Sequence, residues 1–549
     1  MLLLLAVVAL LLPAVFGCAQ EPYREPTAPG PFLHPSADEL KQVKAYKTDQ
    51  PIVGTYLFYW YDVYSGAHLV NGDGTDACTT HPPSWEDYSY YSTRWWRQQL
   101  GDIAAAGIDF AAPVYWGYPD AYDEWSFQGL PNLVRACDYM ARLGEAYPKV
   151  ALFYDTSTLQ YNRFGRQVDL STEEGKSWFY CTIRDFFSFI PPRHWAAIEG
   201  RPIVLLYASA FAAKQDPAVF PYVRQRFQQD FGVGPYLIKQ TSWEGEADNT
   251  CNWGGALGLQ MAGCAALGPG YDHSAVPGRT PLVRDREDGA FYSRSWETVL
   301  RYQPARRPRL VMVETWNEFH EGTDVAESKE SGRKYIDLTR RYADLFHANE
   351  KLAGISGPYA EAKSLSADFS QGRADGGIKV PSNGDGVTRE VEVGGSRCVQ
   401  SAPSEHPSRY VYFDLDESFA FDLDPQPVTV EIEYYDGGCA GFALEYDSQD
   451  PQGSVREGAF KRAGSVTVGR TSTWRKATFT LSDARFANRT NGADLRLAVQ
   501  GEGELAVASA RVTKGQGSTP WASSLPEPDG GGRASSDGQS RALGPPWHG

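Results

Sequence analysis

The densest run of reactive side chains is Glu314-Thr315-Trp316-Asn317-Glu318-Phe319-His320-Glu321-Gly322-Thr323. Glu318 and Glu321 lie three residues apart, and on a helical turn that spacing puts both carboxylates on one side. Two such carboxyls can divide the work of glycosidic hydrolysis. One protonates the departing oxygen while the other serves as base or nucleophile. Neighbouring carboxylates also split their pKa values, so one can keep a proton near neutrality. Most ExxE pairs are solvated surface. This one follows an apolar run, RLVMVETW (309–316), and is enclosed by Trp316, Asn317, Phe319 and His320.

Other chemistries find less support. Asp324 stands where a zincin helix needs its second His, so no metal is expected at His320. There is no GxSxG elbow, no GxGxxG after the first strand and no GxxxxGK(S/T), and no cofactor is expected.

The elements that must position these carboxylates alternate between short apolar runs and stretches of helical period. Candidate strands are 51–60, 108–116, 149–156, 201–209, 235–243, 252–257, 263–271 and 309–316. Among the helices between and after them, Trp96, Leu100, Ile103 and Gly107 share a face. So do Phe179, Ile183, Phe186 and Ile190, and so do Tyr335, Leu338, Tyr342 and Leu345. Eight strands alternating with helices over residues 49–350 predict an α/β fold, a (β/α)8 TIM barrel, with a doubly wound open sheet as the alternative. Barrel chemistry gathers at the C-terminal strand ends. Tyr59, Trp60, Trp116, Asp155, Trp243 and Trp316 fall there, and their rings suit the C–H faces of sugars. Asp155 reads equally as a sugar ligand or as the N-cap before Ser157. Glu314 reads as a paired core carboxylate or a functional one. The loop acids Asp62, Asp120, Asp123, Glu124, Glu244 and Glu246 read as shaping subsites or, more commonly for loop acids, as solvated.

Aromatic residues make up 13% of the chain, and its net charge of −16 is spread rather than clustered. With no basic footprint, nucleic acid is not an expected partner; a polysaccharide or glycan is. Residues 1–19 form an apolar stretch ending near Cys18, a signal peptide whose cleavage is either of lipoprotein type, lipidating Cys18, or ordinary. Export follows, to the cell envelope, periplasm or medium, with membrane attachment only through that lipid anchor. Residues 20–48 read as a linker or arm and 351–380 as a connector. Residues 381–515 carry seven short alternating strands and predict an all-β, jelly-roll-like sandwich, and 516–549 read as a disordered tail. Cys398 and Cys439 are a candidate disulfide. The turn at Asp414, Asp416 and Glu417 matches no defined Ca2+ loop.

Residues 316–323 resemble the Trp-Asn-Glu-Trp-His-Glu-Gly-Thr signature of the family-99 glycoside hydrolases, the endo-α-mannosidases and endo-α-mannanases, with Phe319 replacing the second Trp. Tyr-Trp-Tyr at 59–61, the helix and strand WRQQLGDIAAAGIDF–APVYW, and Gly-Pro-Gly-Tyr-Asp at 268–272 extend the resemblance over about residues 50–350. It is closer still to an exported bacterial family known only as a domain of unknown function. The resemblance implies that Glu321 is general acid and then base. Glu318 would act on the sugar 2-hydroxyl through an anhydro-sugar intermediate with net retention, and His320, Tyr271 and Asp272 would line the donor-sugar subsite. The competing reading is a glycan-binding surface lipoprotein on a barrel that has lost catalysis, with Phe319 as its hint.

Overall fold

The computed structural model describes residues 23–515 except 281, 353–354, 356, 372–375, 383–384, 404–407 and 451–457. The expected signal segment with Cys18, and the expected tail from residue 516, lie outside the described residues. Among these residues, no helix is long and apolar enough to cross a membrane.

The first half is a parallel sheet of eight principal strands with helices packed around it. The strands are β1 (Ile52–Leu57), β2 (Phe110–Tyr115), β3 (Leu152–Tyr154), β4 (Arg201–Leu206), β5 (Tyr236–Lys239), β6 (Asn249–Thr250), β7 (Ala265–Leu267) and β8 (Leu310–Val313). Their order is β6-β5-β4-β3-β2-β1-β8-β7, and every neighbouring pair is parallel. Between the two ends of that order, the Cys264 N–H donates to the Thr250 carbonyl at 2.7 Å. The β1, β2 and β8 strands are buried along their whole length, as their unbroken apolar runs require.

The longer helices are α1 (Thr93–Ala105), α2 (Leu130–Leu143), α3 (Glu173–Phe189), α4 (Val219–Phe231), α5 (Ala290–Arg301) and α6 (Lys334–His347). Ser92 caps α1 by accepting the Trp95 N–H, and Thr172 caps α3 with Glu173 and Glu174 in its first turn. The α1 helix buries Trp95, Trp96, Leu100 and Ile103, the stripe that the 3.6-residue period outlines. The arm is seated on the first domain. Its Phe32 N–H donates to Ser188 O, and Glu25 pairs with Arg184 at 3.3 Å.

Two expectations need correction here. The sixth strand lies at 249–250, and residues 252–257 turn instead, because Gly254 adopts a φ of +109° that a strand cannot hold. The connector reading of 351–380 fails at its C-terminal end. Ser364–Asp368 and Ile378–Lys379 are strands, with Leu365, Ala367 and Ile378 turned inward.

The second half is β-rich. One antiparallel sheet runs β11 (Thr388–Val393), β12 (Ser396–Ser401), β19 (Ala506–Lys514), β14 (Val428–Tyr435) and β17 (Trp474–Leu481), with β9 (Ser364–Asp368) also on β19. The other runs β10 (Ile378–Lys379), β13 (Tyr410–Leu415), β18 (Leu495–Gln500), β15 (Gly441–Tyr446) and β16 (Lys461–Thr467). Alternate residues of both sheets, among them Val430, Ile432, Phe442, Leu444 and Leu497, form one apolar core. All seven cysteines of the described residues are free thiols. Cys398 donates to Val391 O and Cys439 to Gly441 O, which corrects the expected Cys398–Cys439 bridge.

The two halves meet through a buried charge cluster. Asp422 accepts from the Gln303 N–H and from Arg485 Nε, both at 2.7 Å, and pairs with Arg306. Removing one member of a buried ion pair strands the other charge. Asp422→Ala is therefore expected to lower stability by about 3–5 kcal/mol, read as a fall in melting temperature, with Asp422→Asn falling less. Equal melting of Asp422→Ala and the unaltered protein would show that the cluster contributes nothing.

Candidate active site

The C-terminal ends of the parallel strands open into a cleft of about 750 Å³. Its lining comes from the residue or loop after nearly every strand. Phe58 and Trp60 follow β1, Trp116 follows β2, and Asp155 and Ser157 follow β3. Tyr207 and Phe211 follow β4, Trp253 follows β6, Arg279 follows β7, and Glu318, His320 and Glu321 follow β8.

The carboxylates sit in a turn that closes on itself, not on the helical turn expected from their spacing. Thr315 N–H donates to Thr323 O at 2.9 Å, Thr323 N–H returns to Glu318 O at 3.1 Å, and Glu318 N–H meets Thr315 Oγ1 at 2.9 Å. Both carboxylates still reach the cleft. The α6 helix begins only at Lys334.

Glu318 is almost wholly buried. Its Oε1 accepts the His320 N–H at 3.1 Å and lies 3.0 Å from His320 Nδ1, while Oε2 has no partner among the described residues. Burial pushes the Glu318 carboxyl above its ordinary range, and the His320 charge pulls back. His320 Nε2 lies 2.8 Å from the His68 carbonyl, an acceptor, so that nitrogen carries a proton. His320 Nδ1 faces Glu318 Oε1, so a second proton on the ring would point at that carboxylate. Burial lowers His320, but the Glu318 carboxylate outweighs that and raises it overall. His68 is pushed down to about 4 by burial and by His320, so it is neutral, and it stacks flat on Trp60 at 4.6 Å.

Glu321 faces the same cleft and pairs with Arg279 Nη1 at 2.7 Å. Behind it, the Tyr271 hydroxyl touches its carboxylate, and the Asp272 N–H donates to its backbone oxygen at 2.8 Å. Glu314 lies beneath. Its Oε2 accepts the Gly254 N–H at 2.9 Å, with the Gly255 and Ala256 amides also directed at it. Burial raises this carboxyl to about 8 despite those amides. Glu314 thereby anchors the loop that carries Trp253.

Aromatic side chains build the walls. Trp60, His68 and Trp125 cluster beside His320. Opposite Trp60 in the chain order, Trp253 stacks on Phe153 with planes 4° apart and meets Tyr207 edge-on. Such apolar walls with a few convergent polar groups are the common composition of small-molecule sites.

Of the residues expected in the site, Trp60, Trp116, Asp155, Glu318, His320 and Glu321 line one cleft. Asp155 does so while also capping the next turn, its Oδ1 accepting the Ser157 N–H at 3.1 Å. Others are corrected. Tyr59, Trp243 and Trp316 are buried away from the cleft because each finds a polar partner inside: Ser126 O, Tyr207 O and Gln99 Oε1. Asn317 is buried too, bonded to both the N–H and the carbonyl of Phe58. Tyr271 and Asp272 are outside the lining, and the Asp272 carboxylate turns to Ser274. Phe319 points into the core against Tyr61, Trp85 and Tyr88 and is not part of the lining. Asp62 accepts from Ser65 in its own loop and from Ser89, and Asp123 pairs with Arg163 of the loop after β3.

Sequence reading missed Arg279, His68, Trp125, Tyr207, Phe211 and Trp253. Trp253 was hidden inside the assumed sixth strand, where the paired glycines after it were the available signal of a loop.

A glycoprotein endo-alpha-1,2-mannosidase-like protein of Homo sapiens is 34% identical over 96 residues, 15% of this chain and 20% of that protein. Its Mus musculus counterpart is 31% identical over the same length. The chain thus spans about a fifth of the length of the curated relatives it matches. Among solved structures, the GH99 endo-alpha-mannosidase from Bacteroides thetaiotaomicron aligns at TM-score 0.40 and 16% identity, covering 55% of this chain and 99% of that one. The C-terminal CBM6 of a laminarinase from Zobellia galactanivorans aligns at TM-score 0.17 and 10% identity, covering 28% of this chain and 99% of that one. The model of one family matches residues 67–354, just over half of the chain, and the chain belongs to that family, described as a domain of unknown function (DUF5010).

Proposed function

We propose that this protein is an exported glycoside hydrolase on a (β/α)8 barrel, cleaving an α-linked glycan, α-mannosides first among the candidates, with net retention. The observation that carries the reading is the pair Glu318 and Glu321 on one aromatic-walled cleft, with Glu318 Oε2 unpartnered among the described residues. The strand order and the Cys264–Thr250 bond between its ends support the barrel, and the mannosidase-like relatives support the sugar.

In this mechanism Glu318 takes the proton of the sugar 2-hydroxyl, whose oxygen attacks the anomeric carbon. Glu321 gives its proton to the departing glycosidic oxygen. In the second half Glu321 takes a proton from water, which opens the anhydro ring from the same face, and O2 recovers its proton from Glu318. Arg279 has to part from Glu321 for Glu321 to act as the acid. His320 sets the proton level of Glu318 through their shared hydrogen bond.

The test is a product screen against α-mannans and other α-linked glycans, followed by NMR of the first-formed anomer. Release of sugar with retained configuration is expected; an inverted product would overturn the mechanism. Saccharide binding with no cleavage would establish instead the non-catalytic glycan-binding alternative.

One pH prediction follows from His320. Its charge lowers the Glu318 carboxyl, so removing it leaves burial unopposed and raises Glu318 further. A base must be deprotonated, so the acid limb of kcat against pH is expected to move upward in His320→Ala. An unmoved or lower limb would dissociate His320 from Glu318.

A further inference from the structure

Cys251 and Cys264 stand at the two ends of the parallel strand order, one just after β6 and the other just before β7. The Cys264 N–H bond to Thr250 O sets the register between these ends. In a parallel pair, a residue whose N–H bonds residue i stands opposite residue i+1, which here is Cys251. The Gly263 N–H also donates to Thr250 Oγ1 at 3.0 Å. Both thiols are buried and in hydrogen-bonding contact with each other, with the Tyr56 hydroxyl 3.8 Å from Cys251 Sγ. Paired parallel strands run about 4.7–4.9 Å apart, within the Cα separation of roughly 4.4–6.8 Å that a disulfide accepts.

We propose that Cys251 and Cys264 form a disulfide that ties β6 to β7 and fixes the loop carrying Trp253. The enclosed residues, 252–263, hold Trp253 of the cleft wall and the Gly254–Ala256 amides that grip Glu314. The bond would lock both where β6 contributes only two residues of strand.

The oxidant is an external disulfide such as oxidised glutathione. One cysteine thiolate attacks it, releasing one glutathione thiolate and leaving a mixed disulfide. The second cysteine thiolate displaces the other glutathione. The two protons lost by the cysteines end on the two glutathione thiols, and two electrons pass from the protein to the oxidant. Burial holds the Cys264 thiol well above its ordinary range, so the exchange belongs to folding, before water leaves this seam. The proposal is independent of the glycosidase reading, since neither thiol lines the cleft.

The test uses the full chain, refolded from denaturant with oxidised glutathione present, then denatured again, alkylated and digested with trypsin. No Lys or Arg lies between Lys239 and Arg279, so both cysteines stay in one peptide, 240–279. The expected result is that peptide unalkylated and lighter by the mass of two hydrogens, and doubly alkylated after reduction. The reduced protein should melt roughly 5–10 °C lower than the oxidised one. Cys251→Ser should abolish that difference, with Cys264→Ser as the second variant. Alkylation of both cysteines after oxidation would overturn the proposal, and so would linkage of either to a different cysteine. The peptide mass needs no variant, so misfolding of a substituted chain leaves the test intact.

Discussion

Glu318→Gln and Glu321→Gln are each expected to lower turnover by roughly 10²–10⁴-fold, the usual contribution of a positioned acid or base. The fold should survive both changes. Gln at 318 keeps an oxygen to accept the His320 N–H, and it removes a carboxyl that burial already pushes toward its neutral form. The sign of the stability change follows from that direction. A carboxyl raised on folding contributes its stability below its unfolded value and loses it as pH rises. The Glu318→Gln protein should therefore hold its melting temperature better than the unaltered one on the alkaline side. The two variants separate by leaving group. An aryl glycoside whose leaving group needs no proton should recover much of the first step in Glu321→Gln and little in Glu318→Gln. Initial rates on a substrate found in the product screen, with melting curves beside them, make the measurement. Turnover preserved in either variant would remove that carboxylate from the mechanism.

Asn317→Ala is expected to be the most damaging change outside the two carboxylates. Asn317 Oδ1 accepts the Phe58 N–H at 2.8 Å and its Nδ2 donates to Phe58 O at 2.6 Å, in a setting with no solvent access. The amide thus continues the pairing of β1 and β8 past the point where the backbone ladder ends. Alanine would strand a buried N–H and a buried carbonyl, at about 1–3 kcal/mol each. It would also free the turn that aims Glu318, so kcat should fall along with the melting temperature. The discriminating readout is kcat at a temperature where the variant is fully folded. An unchanged value there would mean that Asn317 supports the fold and nothing of the site.

The two predictions also separate the two meanings of the motif. Residues 316–323 form one block in sequence, yet only Glu318, His320 and Glu321 face the cleft. Trp316 and Phe319 enter the core on the other side, and Asn317 staples the turn to β1. A motif records that its residues are needed together without dividing those that touch a ligand from those that hold the turn.

Much of the fold was legible because periodicity reports burial directly. The β1, β2 and β8 runs, and β4 after Arg201, are predominantly apolar since helices or neighbouring strands cover them. Strands of the second half such as β14 and β17 alternate because one face of each sheet meets its core. Legibility failed where the pattern was short or weak: β6 is two residues long, and β9 turns in only Leu365 and Ala367.

What sequence alone determined about this protein is the inventory: a parallel α/β unit, a β-rich unit after it, and two carboxylates beside the last strand. Only the tertiary structure decided which aromatic residues face the cleft. Trp60 and Trp253 line it while Trp243 and Trp316 do not, because the last two indoles turn inward and donate to the buried acceptors Tyr207 O and Gln99 Oε1. It also brought Arg279 onto Glu321 from 42 residues away, and set Cys264 against Cys251 instead of pairing Cys398 with Cys439. These pairings depend on where strands end and loops cross, which local periodicity does not encode.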